Sequence, residues 1–235
     1  MNEHISSAYD RDLDAIQTLV FKMGGLVEDA IVSAAKSLET RDTDLADRVR
    51  ADDKVIDALE LQINEEAARV IALRAPVSKD LRAILTVLRI AASLERIGDY
   101  AKNMAKRTGT LVDMPQIAGS DAALRRMARE VQSMLKDMLD AYLRRDAILA
   151  EDVRQRGHEV DQMYNALFRE FLTFMMEDPR NITTCMHLHF MAKNVERMGD
   201  LVTNMAEQVI YLVTGEMPEE ARPKGDKTSF VTDVN

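Results

Sequence analysis

The chain has 235 residues, a formal net charge of −9 and 46% hydrophobic residues, with 9 Gly, 5 Pro and no Trp. This length can bury a sizeable core, as one large helical domain or as two of about 100 residues each. The composition is rich in helix-forming residues and predicts an all-α protein. The acidic net charge, without any block of basic residues, predicts no nucleic-acid binding.

The first half of the chain shows three amphipathic segments. Apolar residues recur at helical spacing over residues 13–38 and again over residues 49–70. Pro76 prevents the second segment from continuing, and a third helix is predicted from residue 79 to residue 107.

The second half follows the same plan. Residues 108–120 gather two Gly and one Pro and predict a linker. Helical spacing resumes over residues 124–142 and 153–175, and a last helix fills residues 182–214. Residues 215–235 combine Pro, Gly and charge without apolar periodicity, which predicts a mobile tail.

These six segments group into two tandem, repeated three-helix bundles, over residues 1–107 and 121–214. An internal similarity supports the duplication, because residues 40–57 align with residues 144–161 without a gap and with seven identities in eighteen positions. The identical pairs are Arg41/Arg145, Asp42/Asp146, Leu45/Leu149, Ala46/Ala150, Val49/Val153, Arg50/Arg154 and Asp57/Asp161.

A motif near the end of each half shows the same duplication. Residues 94–104 read LERIGDYAKNM, and residues 195–205 read VERMGDLVTNM. On a helix, Glu95, Asp99 and Asn103 are four residues apart and share one face, which continues an apolar heptad row and is therefore expected to lie against another helix. The equivalent residues of the second half are Glu196, Asp200 and Asn204.

Hairpin geometry brings further acids to this face. If the second and third helices form an antiparallel hairpin about Pro76, Asp57 is level with Glu95 and Asp53 is level with Asp99. The same reflection about Pro179 gives the second-half pairs Asp161/Glu196 and His158/Asp200.

Clustered carboxylates on a packed face need a neutralising group. Carboxylate and amide oxygens from facing helices are hard ligands suited to Mg, Mn, Fe or Zn, so we expect a metal site in each half. The candidate ligands are Asp57, Glu95, Asp99, Asp161, Glu196 and Asp200, with Asp53, Asn103, His158 and Asn204 as additional candidates.

Arginine pairing is the alternative to metal binding. A heptad-spaced row beside the acids of the first half consists of Arg82, Arg89 and Arg96. Against simple pairing stand Gly98 and Gly199, because a Gly inside a helix costs about 1 kcal/mol relative to Ala and is used where another group approaches closely.

Histidines and catalytic motifs give little support for an enzyme. His189 lies seven residues before Glu196 and could reach the second site, although a core or rim position is the more frequent role for such a residue. The chain has no Gly-rich phosphate loop and no G-x-S-x-G motif. A ferritin-like di-metal oxidase needs Glu-x-x-His pairs, and none occurs. We therefore expect a protein without catalytic activity.

The setting predicted from the sequence is cytoplasmic. The lone Cys185 cannot form an internal disulfide and is expected to pack in the core, and the amino-terminal residues show no secretory signal. No uninterrupted apolar run is long enough to cross a membrane.

With these features the chain, apart from its tail, resembles the PhoU family of bacterial phosphate-signalling regulators. The resemblance is carried by LERIGD and VERMGD, by SKDLR before the third helix and by FMMEDPR before the sixth. It is also carried by the three-helix unit that occurs twice. It implies two similar three-helix bundles, often assembled into homodimers, with metal ions at the motif pairs Glu95/Asp99 and Glu196/Asp200.

The resemblance also implies a function. PhoU-like proteins link the ATPase subunit of the phosphate ABC transporter to a membrane sensor histidine kinase, restrain phosphate uptake and hold the phosphate-starvation response off. Association with a membrane would then occur through these partners. The alternative is a metal-binding helical scaffold without a role in phosphate signalling.

Overall fold

The structure is a computed structural model that describes residues 2–218, with side chains from Tyr9 onward. Its elements are α1 (Asn2–Thr40), α2 (Thr43–Arg74), α3 (Lys79–Leu111), α4 (Ser120–Arg144), α5 (Ala147–Glu177), a 3-10 turn (Pro179–Asn181) and α6 (Ile182–Thr214). Residues 2–218 contain no β-strand. The predicted all-α fold with six helices is therefore confirmed.

The duplication extends to the backbone of the turns that precede α2 and α5. Asp42 and Asp146 both have extended backbone conformations, and both side chains accept hydrogen bonds from N–H groups of the first helical turn. The residue before each cap, Arg41 or Arg145, has a positive φ of 53° or 54°. The same sequence therefore builds the same turn twice.

Helix α3 runs four residues into the predicted linker of residues 108–120 and ends at Leu111. Packing explains the extension, because Thr108 and Leu111 are buried and the Thr108 hydroxyl lies 3.1 Å from the hydroxyl of Ser37 on α1. Residues 112–119 connect the two halves. Of the predicted tail, residues 215–218 follow α6 without helical structure, and residues 219–235 lie outside the described residues.

Each half is a three-helix bundle, with α1 packed on α2 and α3, and α4 packed on α5 and α6. Two seams join the halves, one between α3 and α6 and the other between α1 and α4. The buried apolar residues form one cluster that runs through both bundles, and Cys185 lies within it. Among residues 2–218, no helix has the combination of length and apolar character that membrane crossing requires.

Candidate metal site

The motif helices approach their hairpin partners closely at the motif glycine. A Cβ atom added at Gly98 would lie 3.1 Å from Cδ1 of Ile56, and one added at Gly199 would lie 3.1 Å from Cγ1 of Val160. Ile56 and Val160 are equivalent positions of the repeat. The close approach inferred from the repeated glycines is therefore present in both halves.

The second half brings three acids together. Asp161 on α5 and Glu196 and Asp200 on α6 each offer a carboxylate oxygen, and these oxygens lie within 4.8 Å of one another. Asp161 and Glu196 are buried and Asp200 is half-buried. We refer to these three residues as the acidic triad.

A lysine already compensates part of the charge of the acidic triad. The Nζ atom of Lys193 lies 3.0 Å from Oε2 of Glu196 and 4.8 Å from the centre of the Tyr164 ring. The donor set still fits a hard cation, because three carboxylates from two facing helices supply oxygen ligands and a negative charge larger than one ammonium group neutralises. No other group of three or more His, Cys, Asp or Glu side chains with this spacing occurs in the part of the chain that the structure describes.

The first half neutralises its acids differently. Lys102 Nζ lies 2.5 Å from Oδ2 of Asp53 and 3.1 Å from Oδ1 of Asp99. Asp53 is almost completely buried, and its Oδ1 atom has no hydrogen-bond partner among the described residues. Burial raises the pKa of Asp53 while the ammonium group of Lys102 opposes that shift.

The other two acids of the first half lie nearer to solvent. Asp57 is exposed and Glu95 is half-buried. Burial, followed by the charge of Asp99, raises the pKa of the Glu95 carboxyl above its usual value. Of the four acids predicted for this half, Asp53 and Asp99 are therefore the two that contact Lys102.

Two substitutions between the repeats account for the difference. Lys102 of the first half corresponds to Thr203 of the second, and Asp53 corresponds to Gly157. The Thr203 hydroxyl donates to the carbonyl oxygen of Asp200 within its own helix, at 2.8 Å. The second half therefore has neither the buried acid nor the lysine that occupies this position in the first.

Sequence reasoning missed Lys102 and Lys193, although both can be read from the chain. Each lies three residues from a motif acid on the same helix, Lys102 after Asp99 and Lys193 before Glu196. That spacing places oppositely charged side chains on one helix face.

The amide and imidazole candidates lie at the protein surface. Asn103, Asn204 and His158 are exposed, and His158 Nε2 lies 2.9 Å from Nε2 of Gln162 on its own helix. None of these residues belongs to the acidic triad.

Two arginines of the heptad-spaced row on α3 donate hydrogen bonds across the seam between the two halves. Arg89 donates to Oε1 of Gln208 on α6 at 2.7 Å, and Arg82 donates to the carbonyl oxygen of Tyr211 at 3.5 Å. Lys102, and not this row, bridges Asp53 and Asp99.

His189 lies among aromatic rings. Its ring centre is 5.4 Å from that of Phe168, 5.9 Å from that of Tyr164 and 5.7 Å from that of Phe190. This position agrees with the core or rim role.

Comparison with known sequences decides the family. The PhoU domain matches the chain twice, over residues 20–108 and 124–209. The chain belongs to the PhoU family. Each match spans one of the two three-helix bundles, so the duplication seen in the sequence corresponds to two copies of the PhoU domain.

Relatives in the PhoU family match nearly the whole chain. A phosphate-specific transport system accessory protein PhoU homolog of Rhizobium meliloti (strain 1021) is 44% identical over 98% of this chain and 98% of its own length. A protein of the same description from Xylella fastidiosa (strain Temecula1 / ATCC 700964) is 45% identical over 98% of this chain and 95% of its own.

The fold also matches a solved structure of the family. The crystal structure of PhoU from Pseudomonas aeruginosa has a TM-score of 0.86 with this chain at 38% identity and covers 88% of this chain and 100% of its own. The two-bundle architecture predicted from the repeat is therefore the PhoU fold.

Proposed function

We propose that the chain regulates phosphate uptake as an adaptor and represses the phosphate-starvation response when phosphate is plentiful. The observation that carries this proposal is the match, along nearly the full length, to proteins described as accessory proteins of the phosphate-specific transport system. In this proposal the chain acts in the cytoplasm and contacts the ATPase subunit of the transporter and a sensor histidine kinase. It works through binding and not through catalysis.

A reporter experiment tests the signalling role. Deleting the gene for this chain should switch on a phosphate-starvation reporter in high-phosphate medium, and a plasmid copy of the wild-type gene should switch it off again. A reporter that stays off after deletion would reject the proposal. A pull-down with the transporter ATPase and the kinase then tests each predicted contact separately.

We further propose that the acidic triad of Asp161, Glu196 and Asp200 binds a divalent or trivalent ion, with Mg, Mn, Fe and Zn as candidates. The support is the convergence of three carboxylate oxygens from α5 and α6. A bound ion would hold these two helices together at the motif. Lys193 would have to share Glu196 or move aside.

The second predicted site, with Asp57, Glu95 and Asp99 as ligands and Asp53 nearby, is proposed to fill less readily. Lys102 contacts Asp53 and Asp99, so an ion has to compete with its ammonium group. The proposal therefore ranks the two halves: the acidic triad binds first, and the first-half acids bind more weakly.

Paired variants test this ranking. Asp200→Asn and Asp99→Asn change equivalent positions of the repeat and remove one charge each. Metal content, measured by elemental analysis after dialysis against Mn²⁺, should fall strongly in Asp200→Asn and little in Asp99→Asn. Equal losses would reject the ranking, and unchanged content in both folded variants would reject metal binding at these acids.

A scaffold that binds metal without a role in phosphate signalling is the second candidate function, and the acidic triad is the observation that favours it. The two functions differ in the reporter strain. If metal content is high in the wild-type chain and low in Asp200→Asn, as predicted, but gene deletion leaves the reporter unchanged, the scaffold function stands alone.

The homodimer expected from the resemblance is a further proposal. Light scattering of the purified full-length chain tests it, with a mass of twice 26.5 kDa expected. A mass equal to one chain over the accessible concentration range would contradict it.

A further inference from the structure

A cleft on the seam between α3 and α6 is lined by eight residues, and none of them is acidic. This composition is unusual for a chain with a net charge of −9. The cleft has a volume of about 450 Å³. Its lining residues are Asn103, Lys106, Arg107 and Thr110 from α3, and His187, Phe190, Asn194 and Arg197 from α6.

The lining side chains concentrate hydrogen-bond donors and positive charge. Lys106, Arg107 and Arg197 are cationic, while Asn103, Asn194 and Thr110 add amide and hydroxyl donors. The spacing of these residues places each set on one face of its helix. The two faces meet across the antiparallel seam, so the donors converge on one concave surface.

Contacts with neutral groups hold Arg107 in the cleft. One of its terminal nitrogens lies 3.2 Å from Nδ1 of His187, and its guanidinium carbon lies 4.6 Å from the centre of the Phe190 ring. Because a guanidinium group only donates, Nδ1 of His187 accepts this hydrogen bond and the neutral ring carries its proton on Nε2. Burial and the charge of Arg107 lower the pKa of His187, which keeps the ring neutral near pH 7.

The opposite end of the same seam has a different lining, in which Arg82 and Arg89 of α3 contact Tyr211 and Gln208 of α6. By the repeat, Lys106 corresponds to Glu207 and Arg107 to Gln208. Glu207 accepts a hydrogen bond from Arg154 at 3.2 Å. The duplicated backbone therefore does not impose a cationic lining without acids, because the opposite end carries Glu207 beside its arginines.

Phosphate groups are the ligands that such a lining recognises best. Guanidinium and ammonium groups form charge-assisted hydrogen bonds with phosphate oxygens, and amides and hydroxyls complete the contacts. A volume of about 450 Å³ is within the range of small-molecule sites. A carboxylate-bearing partner helix would instead need a broad apolar surface, and Phe190 is the one large apolar residue of the lining.

We propose that the cleft between α3 and α6 binds a phosphate-bearing anion, held by Lys106, Arg107 and Arg197. This inference adds direct ligand binding to the chain and stands independently of the adaptor role. The ligand is either free inorganic phosphate or a phosphate ester such as a nucleotide.

Calorimetric titration of the full-length chain tests the site. The protein is kept in EDTA at constant ionic strength, so that an ion at the acidic triad cannot recruit phosphate. Orthophosphate, ADP, sulfate and an oligoglutamate peptide are titrated separately. Saturable binding of orthophosphate identifies free phosphate as the ligand, and binding of ADP alone identifies a phosphate ester.

Matched variants locate the binding. Arg107→Gln and Arg89→Gln each remove one positive charge from α3, and both arginines reach across the seam to α6. We expect roughly a tenfold or greater loss of affinity in Arg107→Gln and no change beyond twofold in Arg89→Gln, because a charge-assisted hydrogen bond is lost in the first variant alone. Lys106 is exposed, so Lys106→Gln gives a second loss variant that preserves packing.

Three outcomes would overturn the proposal. One is the absence of binding by both phosphate compounds. Another is an equal loss in Arg107→Gln, Lys106→Gln and Arg89→Gln, which would reveal general charge screening. The last is binding of the peptide without binding of phosphate, which would assign the cleft to a protein partner.

Discussion

The Nζ atom of Lys102 lies 2.5 Å from Oδ2 of Asp53, a carboxylate whose side chain is 3% exposed. The same ammonium group lies 3.1 Å from Asp99, so one lysine joins α2 to the motif of α3. The second oxygen of Asp53 has no hydrogen-bond partner among the described residues. The charge of Asp53 therefore depends on Lys102.

Lys102→Met should destabilise the protein, because it leaves Asp53 buried without its cation. Removing one partner of a fully buried pair costs about 3–5 kcal/mol, and the partial exposure of Lys102 reduces the expected loss to roughly 1–3 kcal/mol. Urea unfolding at pH 7 in EDTA measures it. Lys54→Met on the exposed side of α2 is the control, with a change within about 0.5 kcal/mol. Equal stabilities of the two variants would show that the Lys102 pair contributes nothing.

Lys102→Thr should strengthen metal binding in the first half, because it introduces the residue that the second half has at this position, Thr203. The measurement is a Mn²⁺ titration in an Asp200→Asn background, in which the acidic triad is impaired. Removing a competing ammonium group is expected to raise the affinity roughly tenfold, the equivalent of about 1.4 kcal/mol. Lys106→Thr on the same helix is the control. An unchanged titration in Lys102→Thr would mean that the lysine does not limit ion binding.

Glu28 gives a stability effect that depends on pH. This residue accepts a hydrogen bond from Gln132 across the α1–α4 seam at 3.0 Å, and burial raises its pKa above the ordinary value of 4.5. Ionised Glu28 therefore destabilises the folded state at pH 7. The cost disappears as the pH falls through the raised pKa to values below 4.5, where the unfolded chain is protonated as well.

Glu28→Gln should accordingly stabilise the protein by roughly 0.5 kcal/mol at pH 7, since the amide oxygen retains the hydrogen bond while the charge is removed. The gain should shrink towards zero near pH 4. Denaturant unfolding over this pH range measures the change. Glu65→Gln, at an exposed position of α2, is the control for net charge. A gain that is independent of pH would assign the effect to something other than the titration of Glu28.

Periodicity and repetition in the sequence were sufficient to predict the fold. The helical spacing of apolar residues predicted all six helices, and the Arg-Asp sequence shared by the turns before α2 and α5 indicated the duplication. Such features depend on residues that are near one another in the chain, so they can be recognised in a single sequence. The end of α3 was placed too early because Gly109 is a helix-weakening residue, whereas the burial of Thr108 and Leu111 overrides that local cost.

The details of the site were harder to predict. Hairpin geometry correctly placed Asp161 opposite Glu196, because reflection about a proline needs only residue counting. The three-residue spacing of Lys102 and Lys193 from a motif acid can be counted in the same way, whereas the reach of Lys102 across to Asp53 on α2 cannot. The cleft lined by Lys106 and the facing residues of α6 depends on how the two bundles pack, which no pattern within either half specifies.

Two neighbouring glycines of α1 separate helix propensity from packing. Gly25 is exposed and an added Cβ would meet nothing within 4 Å, whereas a Cβ at Gly24 would lie 2.5 Å from Cδ1 of Leu139 on α4. Gly25→Ala should therefore stabilise the protein by about 0.5–1 kcal/mol through helix propensity alone. In Gly24→Ala the same gain is opposed by overpacking, which costs about 1–3 kcal/mol.

The expected result is a higher melting temperature and urea midpoint for Gly25→Ala and lower values for Gly24→Ala. Leu139→Ala in the Gly24→Ala background provides the internal check, because removing the leucine methyl groups removes the clash. The stability lost in Gly24→Ala should then be smaller in this background than in the wild type. Equal gains from both glycine substitutions would mean that the α1–α4 seam accepts an added methyl group without cost. The two halves would then be packed more loosely than the contact between Gly24 and Leu139 indicates.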